Sequence, residues 1–196
     1  MHCQEQKTRL RTALHSAPAA STFRESVDET RRLKPAAVLF PMVAHEAGCS
    51  VLLTQRTSHL RHHPGQISFP GGGVEPDDLS PLHTALRETH EEIGLRPEQV
   101  DVMGFLPDYC TVTGFCITPV VGIIAPPLKL HPDTEEVAEI FEVPLAFLLD
   151  PANHREHIMD YAGKQRHFFA IPYQGHNIWG ATAGMIISLY RALSAQ

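Results

Sequence analysis

The chain has 196 residues and a formal net charge of −6 at pH 7; 43% of its residues are hydrophobic and 19% are charged. This length fits one domain with a substantial core, and the composition is that of an ordinary globular protein. The negative charge argues against bulk attraction to nucleic acid or to an anionic membrane, so we expect neither as a partner.

The N-terminal segment is polar and rich in arginine. It has no apolar signal core, and no apolar run in the chain approaches the length of a membrane span. We therefore expect a cytoplasmic protein. Residues 4–34 are expected to form one or two helices, and residues 1–34 are interpreted as a helical extension packed on a main domain of residues 35–196.

Four cysteines are present, Cys3, Cys49, Cys110 and Cys116, and no two of them form a Cys-x-x-Cys pair. In a cytoplasmic chain, reduced thiols are the default. Cys110 and Cys116 can meet across a hairpin, but this neighbourhood offers too few further ligands for zinc. We therefore expect neither a disulfide nor a structural zinc site.

The main domain opens with two predicted strands. Residues 36–43 form a continuous apolar run, which is typical of a strand covered on both faces. Residues 45–48 are turn-like, and residues 50–55 are the next predicted strand. Together they predict a β-hairpin.

A basic segment follows this hairpin. It contains Arg56, His59, Arg61, His62 and His63. In a chain of net negative charge this is a local reversal of sign. Because arginine is suited to binding phosphate through several hydrogen bonds, Arg56 and Arg61 are candidate phosphate contacts. The alternative is an ordinary basic loop that faces solvent.

Three glycines, Gly71–Gly73, precede a predicted helix. Ser80 is a suitable N-cap, Pro81 suits the first helical position, and Gly94 is a typical helix stop. An apolar stripe at helical spacing predicts that one face is buried. The stripe consists of Leu82, Ala85, Leu86, Thr89 and Ile93.

The same helix carries Glu88, Glu91 and Glu92 in one sector, beside Arg87. At about 100° per residue, Glu88 and Glu92 lie one turn apart. Neighbouring carboxylates repel one another, and ligand sets made only of oxygen favour Mg²⁺, with Mn²⁺ as a substitute. Because the preceding glycines let backbone groups approach a ligand, the stretch is a candidate site for a metal-bound phosphate. The alternative is a solvated acidic face.

The rest of the chain alternates between predicted strands and helices. The remaining elements are strands at residues 100–106, 115–124, 140–145 and 166–172, a short helix at 145–149 and a final helix that ends at Leu193. Pro119 indicates an edge or a bulge, because proline cannot donate to a sheet ladder. The alternation predicts an α/β fold.

The glycine turn and acidic helix resemble the Nudix box, whose pattern is G-x5-E-x7-R-E-U-x-E-E-x-G-U, with U an apolar residue. The matching positions are Gly73, Arg87, Glu88, Glu91, Glu92, Gly94 and Leu95. Two positions depart from the pattern: Leu79 replaces the first glutamate, and Thr89 replaces the first apolar residue. Asp78 is a candidate for the structural role of the missing carboxylate.

The upstream segment is similar to a motif of the coenzyme A pyrophosphatase branch of this family, L-L-T-x-R-S/T-x-x-L-R-x-H-x-G-Q-x-x-F-P-G-G. The matching positions are Leu52, Leu53, Thr54, Arg56, Leu60, Arg61, His63, Gly65, Gln66, Phe69, Pro70, Gly71 and Gly72. Residues 113–122 also resemble this branch, and residues 135–145 resemble the family's E-V-x-x-I/V-F-x-V-P-L segment. In the coenzyme A pyrophosphatase branch, an aspartate tends to stand at the place of Asp78, and the first glutamate is dispensable.

The resemblance covers residues 36–190 and implies the Nudix fold, a mixed β-sheet sandwiched between α-helices. It implies a hydrolase that cleaves the diphosphate of coenzyme A (CoA) or a CoA derivative to 3′,5′-ADP and 4′-phosphopantetheine. The substrate is then a small molecule. Its expected binding residues are Arg56, Arg61, Gly71 and Gly72.

The catalytic residues that the resemblance implies are Arg87, Glu88, Glu91 and Glu92. The three glutamates are the expected ligands of Mg²⁺ or Mn²⁺, with a carbonyl of the glycine turn as a further candidate. The metal would polarise the scissile bond, and a glutamate would accept the proton of the attacking water. Arg87 would orient Glu88 or contact the diphosphate. Some family members take the base from a later loop, which makes Glu135 or Glu136 a candidate.

Three alternatives stay open: a Nudix hydrolase of another nucleoside diphosphate derivative such as ADP-ribose or a dinucleotide, a catalytically silent nucleotide sensor, and a protein that processes or binds RNA ends. The upstream motif argues against the first, the intact glutamates against the second and the net charge against the third. The sequence does not decide which CoA derivative or metal is used, or whether the chain forms a homodimer.

Overall fold

The computed structural model describes residues 3–24, 33–60, 62–161 and 163–195. The first elements along the chain are α1 (Cys3–Ala13), β1 (Ala19–Arg24), β2 (Lys34–His45), β3 (Gly48–Arg56), β4 (Ile67–Ser68), β5 (Gly71–Gly73) and α2 (Pro81–Ile93). They are followed by β6 (Val100–Phe105), β7 (Pro107–Cys110), β8 (Phe115–Ile124), β9 (Val137–Pro144), α3 (Leu145–Leu148), β10 (Arg155–Tyr161), β11 (Lys164–Tyr173), β12 (His176–Trp179) and α4 (Gly180–Ser194).

Strand β2 is central to a large mixed sheet. It pairs in parallel with β8 and antiparallel with β3 and β5. Within the described ranges, nine strands join this sheet, in the main order β1-β7-β8-β2-β3-β4, with β5 paired to β2, β6 to β8 and β9 to β3. The predicted hairpin is confirmed, since Val43 on β2 is opposite Ser50 on β3.

The apolar run of residues 36–43 is buried throughout, as expected of a strand covered on both faces. Phe40 and Met42 join the core on the side of α1, α3 and α4, whereas Leu39 and Val43 join the core on the side of α2. Complete burial of a side chain such as Phe40 contributes about 1.5–3 kcal/mol. The sheet is thus sandwiched between helices, and the predicted α/β fold is confirmed.

Helix α2 begins and ends where the sequence predicts. The Ser80 hydroxyl accepts a hydrogen bond from the His83 N–H at 3.2 Å, and Pro81 is the first helical residue. At the other end, Gly94 has a φ of 71°, and its N–H donates to the His90 carbonyl at 2.9 Å. These local signals determine the helix boundaries, because each requires only residues within one turn.

Of the two alternatives predicted from Pro119, the edge is wrong and the bulge is confirmed: residues 106–108 lie opposite only residues 118 and 119, between the Phe105–Val120 and Tyr109–Ile117 pairs. Strand β8 is central, and Pro119 lies opposite Val38 of β2. On the other side, the neighbour of β8 changes from β7, which pairs at Ile117, to β6, which pairs at Val120. The Pro119 carbonyl accepts the Leu106 N–H at 3.1 Å between these two strands. The missing proline N–H therefore faces a break in the ladder, where it interrupts no continuous pairing.

Among the described residues 3–24 of the N-terminal stretch, α1 confirms a predicted helix, and β1 is a strand that the sequence did not predict. Residues 25–32 of the predicted helical region lie outside the described residues. Strand β1 runs parallel to β7, with Ala19 opposite Pro107. It covers an edge that would otherwise be open. The division of the chain at residue 34 stays a prediction.

A smaller antiparallel sheet follows, in the order β10-β11-β12. Strand β11 contains the predicted strand of residues 166–172, whereas β10 and β12 were not predicted. Helix α4, which was predicted, packs against β11 and β12. None of the helices in the described part of the chain has the length and hydropathy needed to cross a membrane.

Candidate active site

The glycine turn lies directly against the acidic side of α2. Strand β5 pairs with β2, which places Gly72 opposite Ala37. A Cβ on Gly72 would collide with the carboxyl group of Glu88, whereas a Cβ on Gly73 would meet no atom within 4 Å. The missing side chain at Gly72 therefore allows the backbone to approach Glu88 closely.

Glu92 is buried at the base of the site, and its side chain is 7% exposed. Its Oε2 accepts the Gly71 N–H at 3.2 Å, and its Oε1 is 3.7 Å from Nη1 of Arg56. Burial raises the pKa of Glu92 to about 7, although the Gly71 hydrogen bond and the charge of Arg56 lower it. A bound cation would favour the ionised form of this carboxyl group.

Glu88 lies one helical turn before Glu92 and is half-buried. Its Oε1 is 3.0 Å from Nη1 of Arg87. Burial raises the pKa of Glu88, and the charge of Arg87 opposes this rise. The charges of Glu136 and Glu88 also raise the pKa of Glu92, since like charges disfavour ionisation. The helical spacing therefore places two partly desolvated carboxyl groups beside the glycine turn.

Arg87 is held by Asp78, whose side chain is 1% exposed. The Nε and Nη2 groups of Arg87 donate to the two carboxylate oxygens of Asp78 at 3.0 and 2.9 Å, and Nη2 also donates to the Gly73 carbonyl at 3.2 Å. The Thr84 hydroxyl donates to Asp78 at 2.9 Å, a contact that the sequence did not reveal because threonine also fits a buried helical face. Leu79, at the family's glutamate position, is 91% exposed.

Arg56 connects the buried acid to a later loop. Its Nη2 atom is 3.9 Å from Oε2 of Glu136, whereas its other terminal nitrogen, Nη1, is the one near Glu92. Thr57 holds this loop in place: its N–H donates to the Glu136 carbonyl at 2.9 Å, and its hydroxyl donates to the Glu135 carbonyl at 2.8 Å. The Glu135 side chain is 87% exposed. Of the two candidate bases, Glu136 therefore lies closer to the acidic cluster.

The donor set fits a hard divalent cation, although it is not a ready-made metal site. No three His, Cys, Asp or Glu side chains among the described residues are grouped closely enough to hold a metal. Glu91 is exposed and accepts a hydrogen bond from Nη1 of Arg87 at 2.9 Å. Glu88 and Glu92 supply carboxyl oxygens, and burial disfavours the ionised form of both carboxyl groups. Such oxygens are the ligands that Mg²⁺ and Mn²⁺ prefer.

Most of the predicted site residues lie together. The residues that form one cluster at the glycine turn are Arg56, Gly71, Gly72, Arg87, Glu88 and Glu92. Glu91 lies at the outer side of Arg87. Arg61 lies outside the described residues, so its phosphate contact stays a prediction.

Comparison with curated proteins finds relatives along most of the chain. An uncharacterized Nudix hydrolase NudL from Enterobacter sp. is 46% identical over 156 residues, which cover 80% of this chain and 81% of the relative. The NudL protein of Citrobacter koseri is 44% identical over 161 residues, covering 82% and 83% of the two chains.

Solved structures share the fold at low sequence identity. A MutT/nudix family protein from Enterococcus faecalis matches with a TM-score of 0.54 and 14% identity, covering 100% of this chain and 76% of the other. A Nudix hydrolase from M. smegmatis, RenU, matches with a TM-score of 0.50 and 25% identity, covering 70% and 81% of the two chains.

The family profile described as the NUDIX domain matches residues 32–161, a range that contains β2, the glycine turn, α2 and the loop of Glu136. This match, the identity with the NudL proteins and the shared fold agree with one another. The chain belongs to the Nudix hydrolase family.

Proposed function

We propose that this chain is a metal-dependent coenzyme A diphosphatase, which hydrolyses CoA or a CoA derivative to 3′,5′-ADP and 4′-phosphopantetheine. Its family membership makes it a Nudix pyrophosphohydrolase. The choice of CoA rests on the motif around Arg56 and Gly71. The observation that carries this choice is the 3.7 Å approach of Arg56 to Glu92, because it brings the arginine of the upstream motif into the acidic site.

Glu88, Glu91 and Glu92 are the proposed ligands of Mg²⁺ or Mn²⁺. When bound, the ion neutralises charge on the diphosphate and polarises the scissile P–O bond. Arg87 positions two of these ligands, since its Nη1 contacts Glu88 at 3.0 Å and Glu91 at 2.9 Å. This arrangement supports the role of Arg87 as an orienting residue.

The substrate phosphates are proposed to bind between Arg56, Arg61 and the backbone of Gly71 and Gly72. Arginine presents several N–H donors in one plane, which suits phosphate oxygens. The Gly72 position offers backbone groups without a side chain in the way. These residues hold the diphosphate beside the carboxylates of α2.

Glu136 is the proposed general base, which accepts a proton from the attacking water. Its carboxylate lies near Arg56, and its charge contributes to the raised pKa values of Glu88 and Glu92. This proximity to the acidic cluster supports the proposed role of Glu136 as the base. Glu135 remains the comparison residue, since it faces solvent.

The biological setting is proposed on the sequence alone. We infer that the enzyme works in the cytoplasm on a small-molecule substrate, without nucleic acid or membrane as a partner. Residues 1–34 are proposed as an extension packed on a catalytic domain of residues 35–196. A homodimer is compatible with this proposal.

Hydrolysis of CoA by the purified protein tests the proposal. The release of 3′,5′-ADP is followed by chromatography with Mg²⁺ or Mn²⁺, for the wild type, Glu92→Gln and a control, Glu98→Gln, which changes an exposed acid in the turn after α2. We expect cleavage by the wild type and the control and a loss of at least about 100-fold in Glu92→Gln.

ADP-ribose and diadenosine polyphosphates are assayed in parallel. Cleavage of ADP-ribose without cleavage of CoA would contradict the proposal that CoA is the substrate, but it would still support hydrolysis of a diphosphate. Tight binding of CoA or nucleotide in calorimetry without turnover of any substrate would instead indicate a nucleotide sensor.

A further inference from the structure

Cys110 on β7 and Cys116 on β8 face each other across an antiparallel pair, and their Sγ atoms are 3.3 Å apart. At the adjacent position the Thr111 N–H donates to the Phe115 carbonyl at 2.8 Å. Because hydrogen-bonded and non-hydrogen-bonded pairs alternate along such strands, the cysteines occupy a non-hydrogen-bonded pair. Opposing Cα atoms there are about 4.5 Å apart, a separation that a disulfide can span.

Cys49, Cys110 and Cys116, the three cysteines whose side chains are described, are in the reduced thiol state and form no disulfide. Cys49 and Cys110 are buried, whereas Cys116 is partly exposed. A small oxidant can therefore reach Cys116 more readily than Cys110. Once Cys116 has reacted, Cys110 is the adjacent thiol that can complete a disulfide.

We propose that Cys110 and Cys116 form a reversible disulfide when the protein meets a low-molecular-weight disulfide such as oxidised glutathione. The Cys116 thiolate attacks one sulfur of the oxidant, forms a mixed disulfide and releases one thiolate. The Cys110 thiolate then attacks the Cys116 sulfur and releases the second thiolate. The two cysteine protons pass to the leaving thiolates, so one oxidant disulfide is reduced to two thiols as one protein disulfide forms.

The disulfide would crosslink β7 to β8 close to their contacts with β1 and β2. Cys110 is also paired with Arg24 on β1, and the Gly114 carbonyl in the intervening turn accepts the Lys34 N–H at 2.8 Å at the start of β2. A crosslink across this hairpin restricts the unfolded chain. We therefore expect the oxidised protein to unfold at a higher temperature and to resist proteolysis within residues 111–114.

Thiol mapping of the full-length protein tests the proposal and does not depend on its substrate. The protein is incubated with oxidised glutathione, its remaining thiols are alkylated, and its peptides are identified by mass spectrometry. We expect Cys110 and Cys116 to lose alkylation together in a crosslinked species about 2 Da lighter than the sum of the reduced peptides. Dithiothreitol should restore both thiols, and Cys49 serves as the buried reference within the same chain.

One variant interrupts the second step of the thiol–disulfide exchange, and another serves as its control. In Cys110→Ser, Cys116 should retain glutathione as a stable mixed disulfide, whereas Cys49→Ser should behave as the wild type. Persistent glutathione on Cys116 of the wild type, a disulfide between two chains, or continued alkylation of both cysteines would overturn the proposal. If a variant does not fold, the mapping of the wild type alone decides between these outcomes.

Discussion

Asp78 and Arg87 are joined by two hydrogen bonds, from Nε to Oδ1 at 3.0 Å and from Nη2 to Oδ2 at 2.9 Å. The guanidinium holds the pKa of Asp78 well below its ordinary value of 3.8, and Asp78 in turn raises the pKa of Arg87. The other side of the guanidinium reaches Glu88 and Glu91. Asp78 therefore influences the orientation of two acids through Arg87.

Replacing Asp78 by Asn should destabilise the protein by about 2 kcal/mol at neutral pH, because Arg87 loses its buried charged partner. The kcat for CoA should fall more than KM rises, since Glu88 loses its orientation. Urea denaturation and steady-state kinetics measure the two effects. The exposed neighbour supplies a control, as Asp77→Asn should change stability by less than about 0.5 kcal/mol. Similar losses in both variants would contradict a specific role for Asp78.

The contribution of Asp78 to stability should depend on pH. Its folded pKa is depressed, so this contribution is present above the unfolded value of 3.8 and is lost as the pH falls through the folded pKa. The difference in unfolding free energy between the wild type and Asp78→Asn should therefore be constant above about pH 5 and shrink on further acidification. Denaturation curves at several pH values measure it, and a difference that grows in acid would refute the ion pair.

Adding a methyl group at Gly72 should disturb the site more than adding one at Gly73. The new Cβ at Gly72 would collide with the Glu88 carboxyl group, whereas Gly73 has open space. Because a shift of about 1 Å in a catalytic group can cost about 100-fold, Gly72→Ala should lower kcat by about 10- to 100-fold. Gly73→Ala is the matched control and should stay near the wild-type rate. Equal rates for both variants would contradict the proposed importance of the close approach between Gly72 and Glu88.

Glu136→Gln should lower kcat by about 100-fold or more, because a positioned general base contributes about 10²–10⁴-fold. Glu135→Gln should change kcat little, since that side chain faces solvent. The comparison is made at saturating CoA and metal, with circular dichroism to check that both variants are folded. A larger loss in Glu135→Gln would assign the base to the other residue of the pair.

The metal-free protein should lose stability as pH rises, because of Glu92. Its pKa is raised from 4.5 to about 7, so its favourable contribution is complete below the unfolded value and disappears as the pH rises through 7. Relative to Glu92→Gln, wild-type stability should fall by at most about 3 kcal/mol across this range. Added Mg²⁺ should reverse the fall in the wild type only, as measured by denaturation with and without EDTA. A response to Mg²⁺ that is the same in both proteins would argue against Glu92 as a ligand.

The most predictable parts of this protein depend on short-range signals. Ser80, Pro81 and Gly94 determine the limits of α2, and these limits are confirmed. The apolar run in β2 and the turn after it predicted the first hairpin correctly. Strand β1 was missed because its pairing with β7 joins segments that are far apart in the chain. Strands β10 and β12 were missed because their stretches show no clear alternation of apolar and polar residues.

The sequence by itself determined that Glu88, Glu91 and Glu92 share one side of a helix, since helical geometry follows from their spacing. Only the tertiary structure decided that Glu92 is buried against Gly71 and near Arg56, whereas Glu91 is exposed and bound to Arg87. Spacing cannot distinguish these acids, because burial and charge partners depend on which distant strands and loops pack beside the helix. Those contacts raise the pKa of Glu92 and make it chemically different from Glu91.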